Sequence, residues 1–160
     1  FNSINNSNIY IMKNLILTFI LSISLISCND NDYEVFTPVN IIPVLVGKGS
    51  LSGSEGIPAQ NLVFTESNSW NSTLALIDPF RIDSMFTDTN VNFSTHMVIA
   101  TFDDLYLNLG HSIEITNITE YETHIAVTIT KFGGGTLLSA EEQPFHIVKI
   151  PITNKPIVFE

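Results

Sequence analysis

The side chains that could do chemistry are few. They are four histidines (His96, His111, His124 and His146), adjacent carboxylates at Asp103-Asp104 and Glu141-Glu142, serines among glycines, and a single cysteine, Cys28. Gly49-Ser50-Leu51-Ser52-Gly53 carries leucine where a nucleophile elbow needs its serine. Gly47-Lys48-Gly49-Ser50 lacks the upstream glycine of a phosphate loop, and Ser does not follow the lysine directly. No histidine pairs with another histidine or a carboxylate at metal-ligand spacing on one element. Neighbouring carboxylates on a strand point to opposite faces, so neither acidic pair converges unless a loop bends it. Asp103-Asp104 is therefore read as a solvated acidic loop rather than a weak calcium site. His146 is expected to be a half-buried strand histidine that donates to a backbone carbonyl, and His111 and His124 are expected to face solvent. A Ser-His-Asp triad from scattered residues stays as a residual hydrolase reading only. No catalytic, cofactor-binding or metal-ligating residue is assigned, and no enzyme is expected.

Cys28 is different, because its neighbours explain it. Residues 1–11 are uncharged and rich in Asn and Ile, and are read as translated upstream sequence ahead of Met12. Lys13 then precedes residues 15–26, an apolar run with small polar interruptions. That run is short of the ~20 residues a membrane-spanning helix needs, and suits the apolar region of a secretory leader. It ends in Leu25-Ile26-Ser27-Cys28, which resembles a bacterial lipobox. A thiol there accepts a diacylglyceryl group, and the small residue before it admits the peptidase. Residues 12–27 are thus expected to be a lipoprotein signal peptide, with Cys28 the acylated N-terminus. At about 0.8 kcal/mol per buried methylene, two or three acyl chains hold a protein at a membrane essentially permanently. The expected location is the outer membrane, on either its periplasmic face or the cell surface. The segment Asn29-Asp30-Asn31-Asp32-Tyr33-Glu34 opens an acidic tether over 28–38. It reads either as a plain linker or as the acidic export signal that follows the lipidated cysteine in surface lipoproteins of Bacteroidetes. Asp83-Ser84-Met85 resembles the short O-glycosylation motif of exported proteins in the same group.

Something must carry these groups, and composition limits what. The chain's 160 residues match one domain of about 150. Hydrophobic residues at 44% are enough for a packed core. A net charge of −10 opposes nucleic-acid binding, which depends on clustered cations. One cysteine excludes an internal disulfide and a multi-cysteine zinc site.

Periodicity then predicts strands with one helix. Residues 39–46 are apolar and β-prone, and dissolve into Gly47, Gly49, Gly53 and Gly56, read as a flexible loop. Residues 61–65 form a short strand. A helix is predicted over about 68–78, capped by Ser67, Asn68 or Ser69, with Trp70, Leu74 and Ile77 on one face and Pro79 as its stop. Residues 96–103 are nearly continuously apolar, as in a strand covered on both faces. Ile113 and Ile115, then Ile125, Val127 and Ile129, alternate with polar residues across Glu120-Tyr121-Glu122, an antiparallel hairpin. Phe132-Gly133-Gly134-Gly135 is a hinge or turn. Residues 145–150, between Pro144 and Pro151, make another strand, read as an edge open to a partner strand. Ile157-Val158-Phe159 closes the chain. The expected class is α+β and β-dominated, a largely antiparallel sheet with one covering helix.

The order of these segments resembles a known family. MVIATF at 97–102, GHSIEI at 110–115, the hairpin, and above all QPFHIVKIP at 143–151 are similar to the C-terminal domain of the protease complex subunit PrcB family. Asn92-Phe93-Ser94, Trp70 and the glycine-rich stretch are similar to lipoprotein members from Bacteroidetes. Leu109-Gly110-His111 stands where the family has a glycine pair. The resemblance implies a PrcB-like domain over 62–160, behind a strand and Gly/Ser-rich loop at 39–61. It also implies a secreted or lipid-anchored accessory of a surface protease, without catalytic residues to carry over. The competing reading is a small-ligand or glycan binder, with Phe80, Phe86, Tyr106 and Tyr121 as a stacking platform.

Overall fold

The computed structural model describes residues 35–134 and 136–160. Cys28, the leader, the upstream stretch and most of the acidic tether lie outside the described residues. Apolar alternation organises the folded unit, Phe36–Glu160, into eight strands and two helices. In chain order they are β1 (Val39–Asn40), β2 (Val44–Leu51), β3 (Gln60–Phe64), α1 (Ser67–Leu74), α2 (Pro79–Met85), β4 (His96–Phe102), β5 (Ser112–Glu120), β6 (Ile125–Phe132), β7 (Gln143–Pro151) and β8 (Ile157–Phe159). The α+β, β-dominated class holds. Two sheets are stacked where one was expected, in the orders β2-β7-β4-β3 and β1-β5-β6-β8. Every pairing is antiparallel except β6 with β8.

Three layers result, and β4 shows why. Met97 and Ile99 enter the core between the sheets, with Ile118, Ile125, Val127, Val148 and Ile150. Val98, Ala100 and Phe102 enter a second core under the helices, with Trp70, Ile77, Phe145 and Ile147. A strand buried on both faces has no polar positions to show, hence its unbroken apolar run. β7 has the same double burial and lies between β2 and β4. The expectation of an open edge there is wrong. Pro144 and Pro151 stand at its ends, where the missing N–H costs little.

The glycine reading over 47–49 is also corrected. Gly47 and Gly49 belong to β2, and a Cβ on them would fall 2.7 Å from Phe86 Cδ1 and 2.7 Å from Met85 Sδ respectively. They are the flat seat on which the end of α2 rests. Trp70, Leu74 and Ile77 do face the core, but the α-helix stops at Leu74. Pro79 does not end a helix; it opens α2 at a first-turn position, where Asp78 caps by accepting from Phe80 N at 2.8 Å. None of Ser67, Asn68 and Ser69 is the cap of α1, which begins after Glu66 without a side-chain cap. The β5–β6 hairpin is as expected, with a bulge between Ile115 and Asn117. The extra residue shifts the alternation so that Ile118 also points inward.

The two ends of the sandwich differ. Chain entry lies at one end, where Val39 pairs with Glu120. Three connections, 52–59, 103–111 and 133–142, gather at the other, since Leu51 pairs with Gln143, Gln60 with Phe102, and Ser112 with Phe132.

Candidate functional site

That second end concentrates the unusual features. The 103–111 and 133–142 connections run side by side: Tyr106 and Glu142 exchange backbone hydrogen bonds at 2.8 and 3.0 Å, and Leu109 N donates to Leu138 O at 3.2 Å. Their closest approach needs glycine. Gly110 and Gly133 both have positive φ, and a Cβ on Gly133 would sit 2.0 Å from Gly110 O. The paired loops hold leucines outward: Leu105 is 45% exposed, Leu138 67%, Leu107 70%, and Leu137 wholly. Large apolar side chains gathered in water mark interaction surfaces more often than chance exposure does.

Under the leucines lies a polar brace. Asp103 is buried and ion-paired with Lys131, which also reaches Asp104 Oδ2 at 3.2 Å. Tyr106 donates its hydroxyl to Asp103 Oδ2 at 3.1 Å, and Asp104 N donates to Asp103 Oδ1 at 2.8 Å. The Asp103 hydrogen bond, with that of Asp104, pushes the Lys131 ammonium up to about 12. Burial, and then the Asp103 charge, raises the Tyr106 phenol. The two carboxylates therefore converge, against expectation, because the chain bends on leaving β4, and a lysine takes the place a cation would fill. Glu142, buried, accepts from His111 N at 2.7 Å. Gln143 Nε2 donates to Ile57 O at 2.8 Å and Asp103 O at 3.0 Å, tying 52–59 to the other loops. His111 is half-buried and stacked on Tyr106, not turned to solvent. These bonds brace the loops against one another and against the end of β4.

No family model, curated protein or solved structure matches this chain.

The remaining candidates disperse. Among the described residues, no three His, Cys, Asp or Glu side chains gather to hold a metal ion. The four loop aromatics do not form a platform: Phe86 packs between Trp70 and Phe145 in the core, Tyr106 lies on His111, Tyr121 on His124, and Phe80 is exposed on α2. His124 is half-buried by its stacking. A cleft of about 470 Å³ is lined by Ser52, Glu55, Phe80, Arg81 and Ser84. In it Ser52 Oγ donates to Glu55 Oε2 at 3.1 Å, while Arg81 Nε pairs with Glu55 at 3.2 Å. Ser84 is exposed, with its hydroxyl donating to Arg81 O at 3.2 Å. A second cleft, of about 570 Å³, opens between the sheets and is lined by Asn61, Thr101, Lys131 and Phe159 among others.

His146 closes the opposite side of the sandwich. Its Nδ1 accepts from Ile115 N at 2.8 Å, so the ring accepts from the backbone where donation was expected. Lys48 and Glu114, ion-paired with each other, are the charges that face it. Burial, and then the Lys48 charge, lowers its pKa. The unfolded chain binds a proton that the folded chain resists, so this contribution is full above about pH 6.5 and is lost as pH falls through the folded value. Urea midpoints are expected to drop between pH 7.5 and pH 5, and His146→Gln, whose amide oxygen can still accept from Ile115, is expected to reduce that drop. An equal drop in both proteins would remove the assignment.

Proposed function

We propose that this chain is a lipid-anchored outer-membrane protein that binds another envelope protein and performs no catalysis of its own. The observation that carries this reading is the leucine-bearing end of the sandwich, whose two loops are braced by the Asp103–Lys131 ion pair and the Tyr106–Glu142 backbone pair. The lipobox-like Leu25-Ile26-Ser27-Cys28 supports the anchor. The PrcB-like segments, QPFHIVKIP above all, support an accessory role beside a surface protease. A small-ligand reading has one observation in its favour, the inter-sheet cleft, and a thermal-shift screen of sugars and small metabolites tests it.

The anchor and the binding are separately measurable. In a detergent phase split the native protein is expected in the detergent phase and labelled by palmitate. Cys28→Ala is expected in the aqueous phase without label. Native electrophoresis of mild-detergent envelope extracts is expected to show the wild type in a species heavier than its lipidated monomer. An unlabelled, aqueous wild type overturns the anchor, and a monomer in every extract overturns the binding role.

A further inference from the structure

We propose that the leucine end docks a partner protein whose contact patch is apolar and ringed by lysine and arginine. The inference deepens the binding-module reading and rests on it. Leu105 and Leu107 from one loop, and Leu137 and Leu138 from the other, supply the apolar centre. The loops are held by the Tyr106–Glu142 backbone pair, the Gly110–Gly133 approach and the Asp103–Lys131 ion pair. Loop residues already tied to one another before contact lose less freedom on binding, which favours affinity.

Chain geometry selects a protein over a bilayer. The folded unit begins at the far end, where Lys155 Nζ stands 4.6 Å from the centre of the Phe36 ring and Val39 pairs with Glu120. The nine residues of β5 separate that end from Ser112, where the leucine loops begin, a span of roughly 25 Å at ~3.3 Å per residue. The stretch from Cys28 to Phe36 reaches at most about 29 Å when fully extended. With a reach that barely matches this span, an acyl group on Cys28 would bring the leucines to lipid only if that stretch were drawn nearly straight.

Charge selects the partner's rim and disfavours a second copy. Lys48, Arg81, Lys131, Lys149 and Lys155 are each ion-paired within the fold. Asp104 and Glu141 are exposed in the two leucine loops, and Asp103 and Asp104 share the single cation Lys131, which leaves that end net acidic. A second copy would bring the same acidic rim, which repels, whereas lysine and arginine complement it.

The test is photo-crosslinking of the full chain in its native cells. Leu107→p-benzoylphenylalanine and Leu137→p-benzoylphenylalanine probe the tip, with the same replacement at Phe80 and Val158 as exposed controls. One discrete protein adduct is expected from both tip positions, with the crosslinked segment apolar and flanked by Lys or Arg. Adding Leu138→Glu is expected to lower its yield about ten-fold or more, while Leu138→Met retains it. Purified Leu138→Glu protein should melt as the wild type does, since the side chain lies in solvent. Adducts with lipid, with a second copy, or with a segment lacking basic residues overturn the proposal. Protein adducts from Phe80 or Val158 alone overturn the docking face but leave the binding role standing. No protein adduct from any of the four positions overturns both.

Discussion

Trp70→Ala is expected to lower the stability of the folded unit by about 3–5 kcal/mol, the usual cost of emptying a buried aromatic site. Trp70 is 1% exposed. It meets Phe64 edge-on at 5.4 Å between ring centres and lies 6.5 Å from Phe86, and it donates its indole N–H to Thr89 O at 2.9 Å. Truncation removes the contact surface that fastens α1 to β3 and leaves a carbonyl without its partner. Domains have only about 5–15 kcal/mol in total, so the loss is a large fraction. A fall in melting temperature of roughly 10–20 °C is expected for a unit of this size. Trp70→Phe, which keeps a ring and loses the hydrogen bond, is expected to cost about 1–2 kcal/mol more modestly. Equal losses for the two variants in a urea titration would show that packing around the indole matters little.

Gly133→Ala is expected to lower stability by roughly 2–4 kcal/mol. Two costs coincide there. The φ of +101° is one that alanine rarely adopts, and the new methyl would stand 2.0 Å from Gly110 O, a backbone atom that cannot swing aside. Either the residue unwinds or the two leucine loops part. Gly134→Ala provides the matched control, because a methyl there meets nothing within 4 Å, and it is expected to stay within about 0.5 kcal/mol of the wild type. Urea midpoints measure the difference, and limited proteolysis locates it. Gly133→Ala should open 103–111 and 133–142 to cleavage before the strands, and similar midpoints for the two alanine variants would refute the argument.

Local pattern carried much of the fold. The run over 96–102 is legible as a doubly covered strand because both of its faces are dry. The β5–β6 hairpin is legible because each strand has one wet face and the turn between them is short. Trp70, Leu74 and Ile77 identify the core-facing side of the helical segment for the same reason. What failed depended on partners distant in sequence. Gly47 and Gly49 look like loop residues until Phe86 and Met85 occupy the space above them. β7 looks like an edge because prolines bracket it, yet β2 pairs on one side and β4 on the other. Pro79 is a stop in one helical pattern and a start in the next, and Asp78 just before it was the available clue.

The candidate site was half visible. Both acidic pairs stood out as chemistry, but the convergence of Asp103 and Asp104 on Lys131, and the turning of Glu142 to His111 N, depend on loop paths that no periodicity encodes. The leucines carry a signal in their placement. Leu105, Leu107, Leu137 and Leu138 occupy stretches between strands, where large apolar side chains have no core to enter.

The sheet orders bear on how the chain reaches this state. Among the described strands, β5 and β6 alone are both paired and joined by a short turn; β1 waits for β5, β2 for β7, and β8 supplies the last edge. Such non-local topology places a domain among those that fold in roughly milliseconds to seconds, since loop closure precedes most of the reward. Until the final residues arrive, β6 has one unsatisfied side, and the nascent protein is at its most vulnerable to pairing with the wrong strand.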